Sequence, residues 1–125
     1  MLSVTCEEWE DGAVAGALAE RLDAIKAHAG VRSREIAELL DTTPQTVSRW
    51  QTGRVDPQAT KLRQLLMLEW LADQLHEFFS PEEARLWIFS PHRLLSGDRP
   101  SDRISAGRVD DVLALIDQLR DGAFV

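Results

Sequence analysis

Apolar residues recur every three or four positions along nearly the whole chain, and the strict alternation of a half-buried strand is nearly absent. A chain patterned in this way buries its apolar stripes by packing helix on helix, so the expected fold class is all-α. The punctuation agrees. Thr43-Pro44, Ser80-Pro81, Ser90-Pro91 and Pro100 place a proline where the first turn of a helix accepts one, and Gly30, Gly53 and Gly122 stand where helices should end. A length of 125 residues allows one compact domain, or two small modules sharing a core.

The first stripe is Val14, Leu18, Leu22 and Ile25, closed by Gly30. Residues 1–11 carry no stripe and are expected to be flexible, with Trp9 free to dock on the core. Residues 31–57 read as two short helices joined by a tight turn. Ser33 is the expected cap of the first, whose stripe is Ile36, Ala37, Leu39 and Leu40, and Thr43 with Pro44 opens the second. Thr60–Phe79 follows as a long helix, apolar on more than one face through Leu62, Leu65, Leu66, Leu68, Leu71, Leu75 and Phe78, and is expected to be the beam that joins the two halves. Ser80-Pro81-Glu82-Glu83 is a capping box that opens a helix through Ala84, Leu86, Trp87 and Ile88. Ser90-Pro91 should start a short helix through Leu95, and Pro100 another within the turn-rich stretch 96–107. Val109, Val112, Leu113, Ile116 and Leu119 mark a last amphipathic helix, with Ala123, Phe124 and Val125 beyond Gly122.

Acids outnumber Lys and Arg by 21 to 14, for a net charge of -7, which excludes a protein that coats nucleic acid by bulk positive charge. The charge is uneven, however: residues 31–64 carry more bases than acids, while both flanks are acidic. The basic segment coincides with the two short helices, and these have the pattern of a helix-turn-helix. Ala37 is the small residue of the supporting helix, and Val47 and Trp50 share the face that buries against it. Gln45, Thr46, Ser48 and Arg49 are then turned partly or wholly outward, and these are side chains suited to reading base edges. Arg32, Arg34, Arg54 and the helix start at Ser33 are placed for phosphate contact. The segment resembles the Xre-type helix-turn-helix of phage-repressor-like regulators, with Asp41 where that pattern has its turn glycine. A plain helical hairpin in a bundle core is the competing reading. The acidic flanks predict weak binding by one copy, so a homodimer reading two operator half-sites is expected.

A repressor needs little beyond such a module, which leaves the second half to be explained. Trp87-Ile88-Phe89-Ser90-Pro91-His92-Arg93-Leu94-Leu95, then Pro100, Ile104, Gly107, Val112-Leu113, Ile116 and Gly122, resemble the C-terminal toxin-binding domain of Xre/MbcA/ParS-like antitoxins, and MbcA-type members in particular. With the helix-turn-helix, the resemblance covers roughly residues 12–125. It implies a helix-turn-helix domain at 12–58 and a toxin-binding domain at 59–125. It also implies an antitoxin that blocks the active site of a RES-domain, NAD-degrading toxin, joins it in a larger complex and represses its own operon. Phe124 and Val125 form a short apolar tail that could plug the entrance of the toxin's pocket, or else fold back on the last helix. Phe89, Pro91 and Arg93 are the other candidate toxin contacts, whereas Trp87 is more readily read as core.

Other chemistry is not indicated. Cys6 is the only cysteine, which suits a reducing cytosol and gives no disulfide. The N-terminus turns acidic at once, unlike a signal or transit peptide, and no apolar run approaches the roughly 20 residues of a membrane span. His28, His76 and His92 fall in no metal motif, and neither a nucleophile with a base nor a glycine-rich phosphate loop is present. The chain is therefore expected to be a cytoplasmic non-enzyme without metal or cofactor. Besides the antitoxin, two readings compete: a stand-alone helix-turn-helix regulator whose C-terminal half dimerises or senses a ligand, and an adaptor with a degenerate helix-turn-helix.

Overall fold

The computed structural model describes residues 14–121, and among these the regular structure is entirely helical. The helices are α1 (Val14–Ala29), α2 (Ser33–Leu39), α3 (Pro44–Gln51), α4 (Ala59–His76), α5 (Pro81–Ile88), α6 (Pro100–Ser105) and α7 (Val109–Arg120), with a single 3-10 turn at Arg93–Leu95 between α5 and α6. The all-α expectation holds. No helix among the described residues is long and apolar enough to cross a membrane.

One continuous core runs through both halves. Leu18, Leu22 and Ile25 of α1 meet Leu65, Leu68, Leu71, Ala72 and Leu75 of α4, and the same cluster continues through Ala84 and Ile88 of α5, Ile104 of α6 and Val112 and Ile116 of α7. Helix α4 is thus the beam that the sequence suggests, since it packs on α1, α5 and α7. It is shorter than Thr60–Phe79, because the amides of Glu77 and Phe78 turn back to the carbonyls of Gln74 and Leu75 and tighten the last turn before Ser80. Its second apolar face is not buried: Leu62, Leu66 and Trp70, spaced four apart, stay exposed, as does Phe78.

Capping follows the sequence at two helices and departs from it at two others. The Thr43 Oγ1 accepts from the Thr46 amide at 3.2 Å, and Ser80 and Glu83 form the reciprocal box at 2.9 and 3.2 Å. Ser33, in contrast, is not a cap. Burial of Val31 fixes the chain so that Arg32 is the extended boundary residue, its amide donates to Glu35 Oε1 at 3.0 Å, and Ser33 becomes the first helical residue. The short helix expected through Leu95 is present as the 3-10 turn, but it starts at Arg93 and not at Pro91. The Ser90 hydroxyl donates backward to the Leu86 carbonyl, and His92 instead caps the short 3-10 turn.

Two backbone positions lock the corners. Gly30 has φ +66°, and a Cβ there would lie 2.4 Å from the Pro81 carbonyl oxygen, so only glycine lets the α1–α2 corner rest on the start of α5. Asp41, in the turn between α2 and α3, has φ +54°. The Lys61 ammonium reaches across from α4 and donates to the carbonyls of Leu40 and Asp41, tying down the turn whose expected glycine is absent.

Candidate functional site

The N-terminal face is built on α3. Val47 and Trp50 are buried together with Ala37 of α2 and Leu40 just after it, which leaves Gln45, Ser48 and Arg49 exposed. Thr46 is half-buried and its hydroxyl is hydrogen-bonded to that of Thr43 at 2.9 Å, so it is less available than its neighbours. Gln51 clamps α3 to α1: it donates to the Ala19 carbonyl and to Asp23, and accepts from Lys26. Arg32, Arg34, Arg49 and Arg54 are exposed and form no ion pair among the described residues, so their charge is available to an anionic partner. Glu35, the acid nearest this group in sequence, is engaged by Arg85 of α5. Burial on its own would raise its pKa, but the Arg85 guanidinium and the Arg32 amide outweigh that and hold it below the usual carboxylate range.

The second face lies around the loop after α5. Trp87 and Phe89 are both half-buried against the core, and the Arg85 guanidinium sits 5.6 Å from the centre of the Phe89 ring. Phe89 is therefore less exposed than its position at a Ser-Pro break suggests. Pro91 and Arg93 are exposed, and with His92 and Leu94 they line a shallow hollow of about 320 Å³. Arg103 is held inside the fold by Asp98, Asp111 and the Leu95 carbonyl, and Arg99 pairs with Asp102, so of the three arginines in this region Arg93 has the least engaged charge. Phe124 and Val125 lie outside the described residues. His28 and His76, distant in sequence, stack at 4.3 Å with Asp73 against His28, yet among the described residues no group of three or more potential ligands is arranged to hold a metal ion.

Comparison with known proteins decides between the readings. Residues 74–122 match the antitoxin Xre/MbcA/ParS C-terminal toxin-binding domain, and residues 16–56 match a homeodomain-like domain. The mycobacterial cidal antitoxin MbcA of Mycobacterium tuberculosis H37Rv is 38% identical over 96 residues, which span 77% of this chain and 85% of that protein. A second protein of the same organism, the probable mycobacterial cidal antitoxin Rv3188, is 32% identical over 110 residues, covering 85% and 90% respectively. A chain in the crystal structure of the M. tuberculosis MbcT-MbcA toxin-antitoxin complex superposes with a TM-score of 0.75 at 36% identity, over 86% of this chain and 97% of that one. The chain belongs to the MbcA-type Xre/MbcA/ParS antitoxins.

Within this antitoxin, Ser33, Gln45, Thr46, Ser48, Arg49 and Arg54 all fall in the segment with the homeodomain-like match, and Phe89, Pro91 and Arg93 fall in the toxin-binding match. Gln45, Ser48 and Arg49 share the exposed side of α3, whereas Ser33 is half-buried at the start of α2. Several groups that shape these faces escaped the sequence reading: Lys61 on the turn, Gln51 between helices, the Arg85 and Glu35 pair, and exposed Leu94. Glu35 alone had a local signal, as an acid three residues after the boundary residue Arg32.

Proposed function

We propose that this antitoxin neutralises a RES-domain, NAD-degrading toxin by covering the entrance to its active site, and that as a cytoplasmic homodimer it represses its own operon. The observation that carries the toxin reading is the joint match of residues 74–122 to a toxin-binding domain and of nearly the whole chain to an antitoxin from a toxin-antitoxin complex. Residues 59–125 would serve the toxin and residues 12–58 the operator, two surfaces set on one core rather than two separately folded units. Phe89, Pro91 and Arg93 would face the toxin, with Phe124 and Val125 entering or covering its pocket. An aromatic anchor beside a small apolar residue suits a cleft shaped for a nicotinamide ring.

On the other face, Gln45, Ser48 and Arg49 would meet base edges in the major groove, with Thr46 in a minor role. Arg54 and the start of α2 at Ser33 would contact phosphates. Two copies supply two recognition helices, which offsets the weak binding expected of one module on an acidic protein. The tail is tested by removing Gly122–Val125 and co-expressing the shortened chain with the toxin. Growth arrest is the expected outcome, and undiminished neutralisation would exclude the plug.

A further inference from the structure

Among the described residues of 74–122, the stretch that matches the toxin-binding domain, three large apolar side chains are exposed: Phe78, Leu86 and Leu94. Phe78 lies against Phe79 at the end of α4, and Leu86 projects from the outer side of α5. Leu94 is different, because a dense set of polar contacts fixes the turn that presents it. The His92 Nδ1 accepts from the Leu94 amide at 3.3 Å, the His92 amide donates to the Asp98 carbonyl at 3.0 Å, and the His92 carbonyl accepts from the amides of Leu95 and Gly97. Ser96, which is not a glycine, is held at φ +60°. Arg103, its side chain only 16% exposed, donates to the Leu95 carbonyl at 2.9 Å, to Asp98 at 2.9 Å and to Asp111 at 2.7 Å.

Leu95 is buried beneath this scaffold, while Leu94 stands out at 47% exposure beside Arg93. A strained residue persists only where its surroundings over-determine it, and an apolar side chain presented by a rigid turn spares binding the cost of ordering the backbone beneath it. Leu94 also forms a ridge between two hollows. One is lined by Pro91, His92 and Arg93, and the other, of about 200 Å³, lies against Arg103, Ala114, Leu115 and Gln118. The ridge therefore joins the loop to α7 in one surface.

We propose that Leu94 is the central apolar anchor through which the antitoxin docks in a cleft of its toxin, with Arg93 at the rim facing acidic groups and Arg103 as the positioning residue that holds the turn. This rests on the toxin reading given above. The test uses the full chain and the toxin released from the wild-type complex, with affinity measured for each variant. Leu94→Glu should bind at least about 30-fold more weakly, as expected of a central anchor, with an unchanged melting temperature. Leu94→Met should stay within a few-fold of wild type, and Leu86→Glu should bind like wild type. Arg103→Ala should weaken binding and also speed hydrogen exchange at the Leu95 and Gly97 amides, which Leu94→Glu should leave unchanged. A folded Leu94→Glu variant that binds as tightly as wild type overturns the anchor alone, as does an equal loss in Leu86→Glu. Failure of the wild-type chain to form that complex on co-expression, before any variant is measured, overturns the toxin reading with it.

Discussion

Asp41 is held in a backbone conformation that costs an L-residue on the order of 1 kcal/mol, and its position is fixed by a lysine bound to carbonyls rather than to its own side chain. Asp41→Gly should therefore stabilise the protein by about 0.5 kcal/mol, once the greater freedom of glycine in the unfolded chain is set against the relief, and urea unfolding reads this directly. Glu35 gives a pH dependence of definite sign. Its pKa is lowered in the folded state below the ordinary 4.5, so its contribution is present above that pH and is lost as pH falls through the lowered value. Unfolding measured between pH 6 and pH 3 should show this loss in the wild type and a flatter profile in Glu35→Gln. Local grammar was legible at this scale, because a cap, a proline and a glycine act within four residues, as at Thr43 and Ser80. It failed by one position at Ser33, where burial of the neighbouring Val31 sets the boundary. Lys61 on Leu40 and Arg85 on Glu35 could not be read, since nothing along the chain states which distant residues meet.

Among the elements, α3 carries the sharpest expectation. Arg49→Ala should cost about 1–3 kcal/mol in operator binding and relax the preference at the base it reads, whereas Arg54→Ala should weaken all sequences alike and lower the salt slope by about 1. Titrations of the operator and of a scrambled duplex at several salt concentrations separate the two. The helix was legible because its apolar pair Val47 and Trp50 leaves no other face to bury, and the polar face follows. Helix α4 shows the opposite case. Its period announced a helix, but apolar residues on two faces could not tell which would be covered, and the structure buries Leu65, Leu68, Leu71 and Leu75 while leaving Leu62, Leu66 and Trp70 outside. The Ser90-Pro91 signal marks the short helix through Leu95 but not its start, because a serine before a proline can bond backward to the preceding helix as well as forward to a new one.

At the scale of the whole molecule, the proposed division into an operator half and a toxin half does not coincide with a division of the core. Leu22 and Ile25 from the first half and Leu68, Ile88 and Ile116 from the second belong to one buried cluster, and Gly30 seats one half directly on the other. The protein should unfold in a single transition, with helix content and tryptophan fluorescence changing together; separated transitions would show two independent units. This sharing was only half legible. Chain length allowed a common core, but the pairing of α1 with α4 across the functional boundary is a matter of tertiary packing. The antitoxin assignment came from motif order in the second half, because no periodicity or charge pattern names a partner. The most direct test is to express the chain with an N-terminal tag, leaving Phe124 and Val125 free, beside its candidate RES-domain toxin, and to measure NAD consumption by the toxin before and after the antitoxin is stripped away. The account predicts a stoichiometric complex that is inert towards NAD and a released toxin that consumes it; a toxin equally active in the presence of excess antitoxin would contradict it.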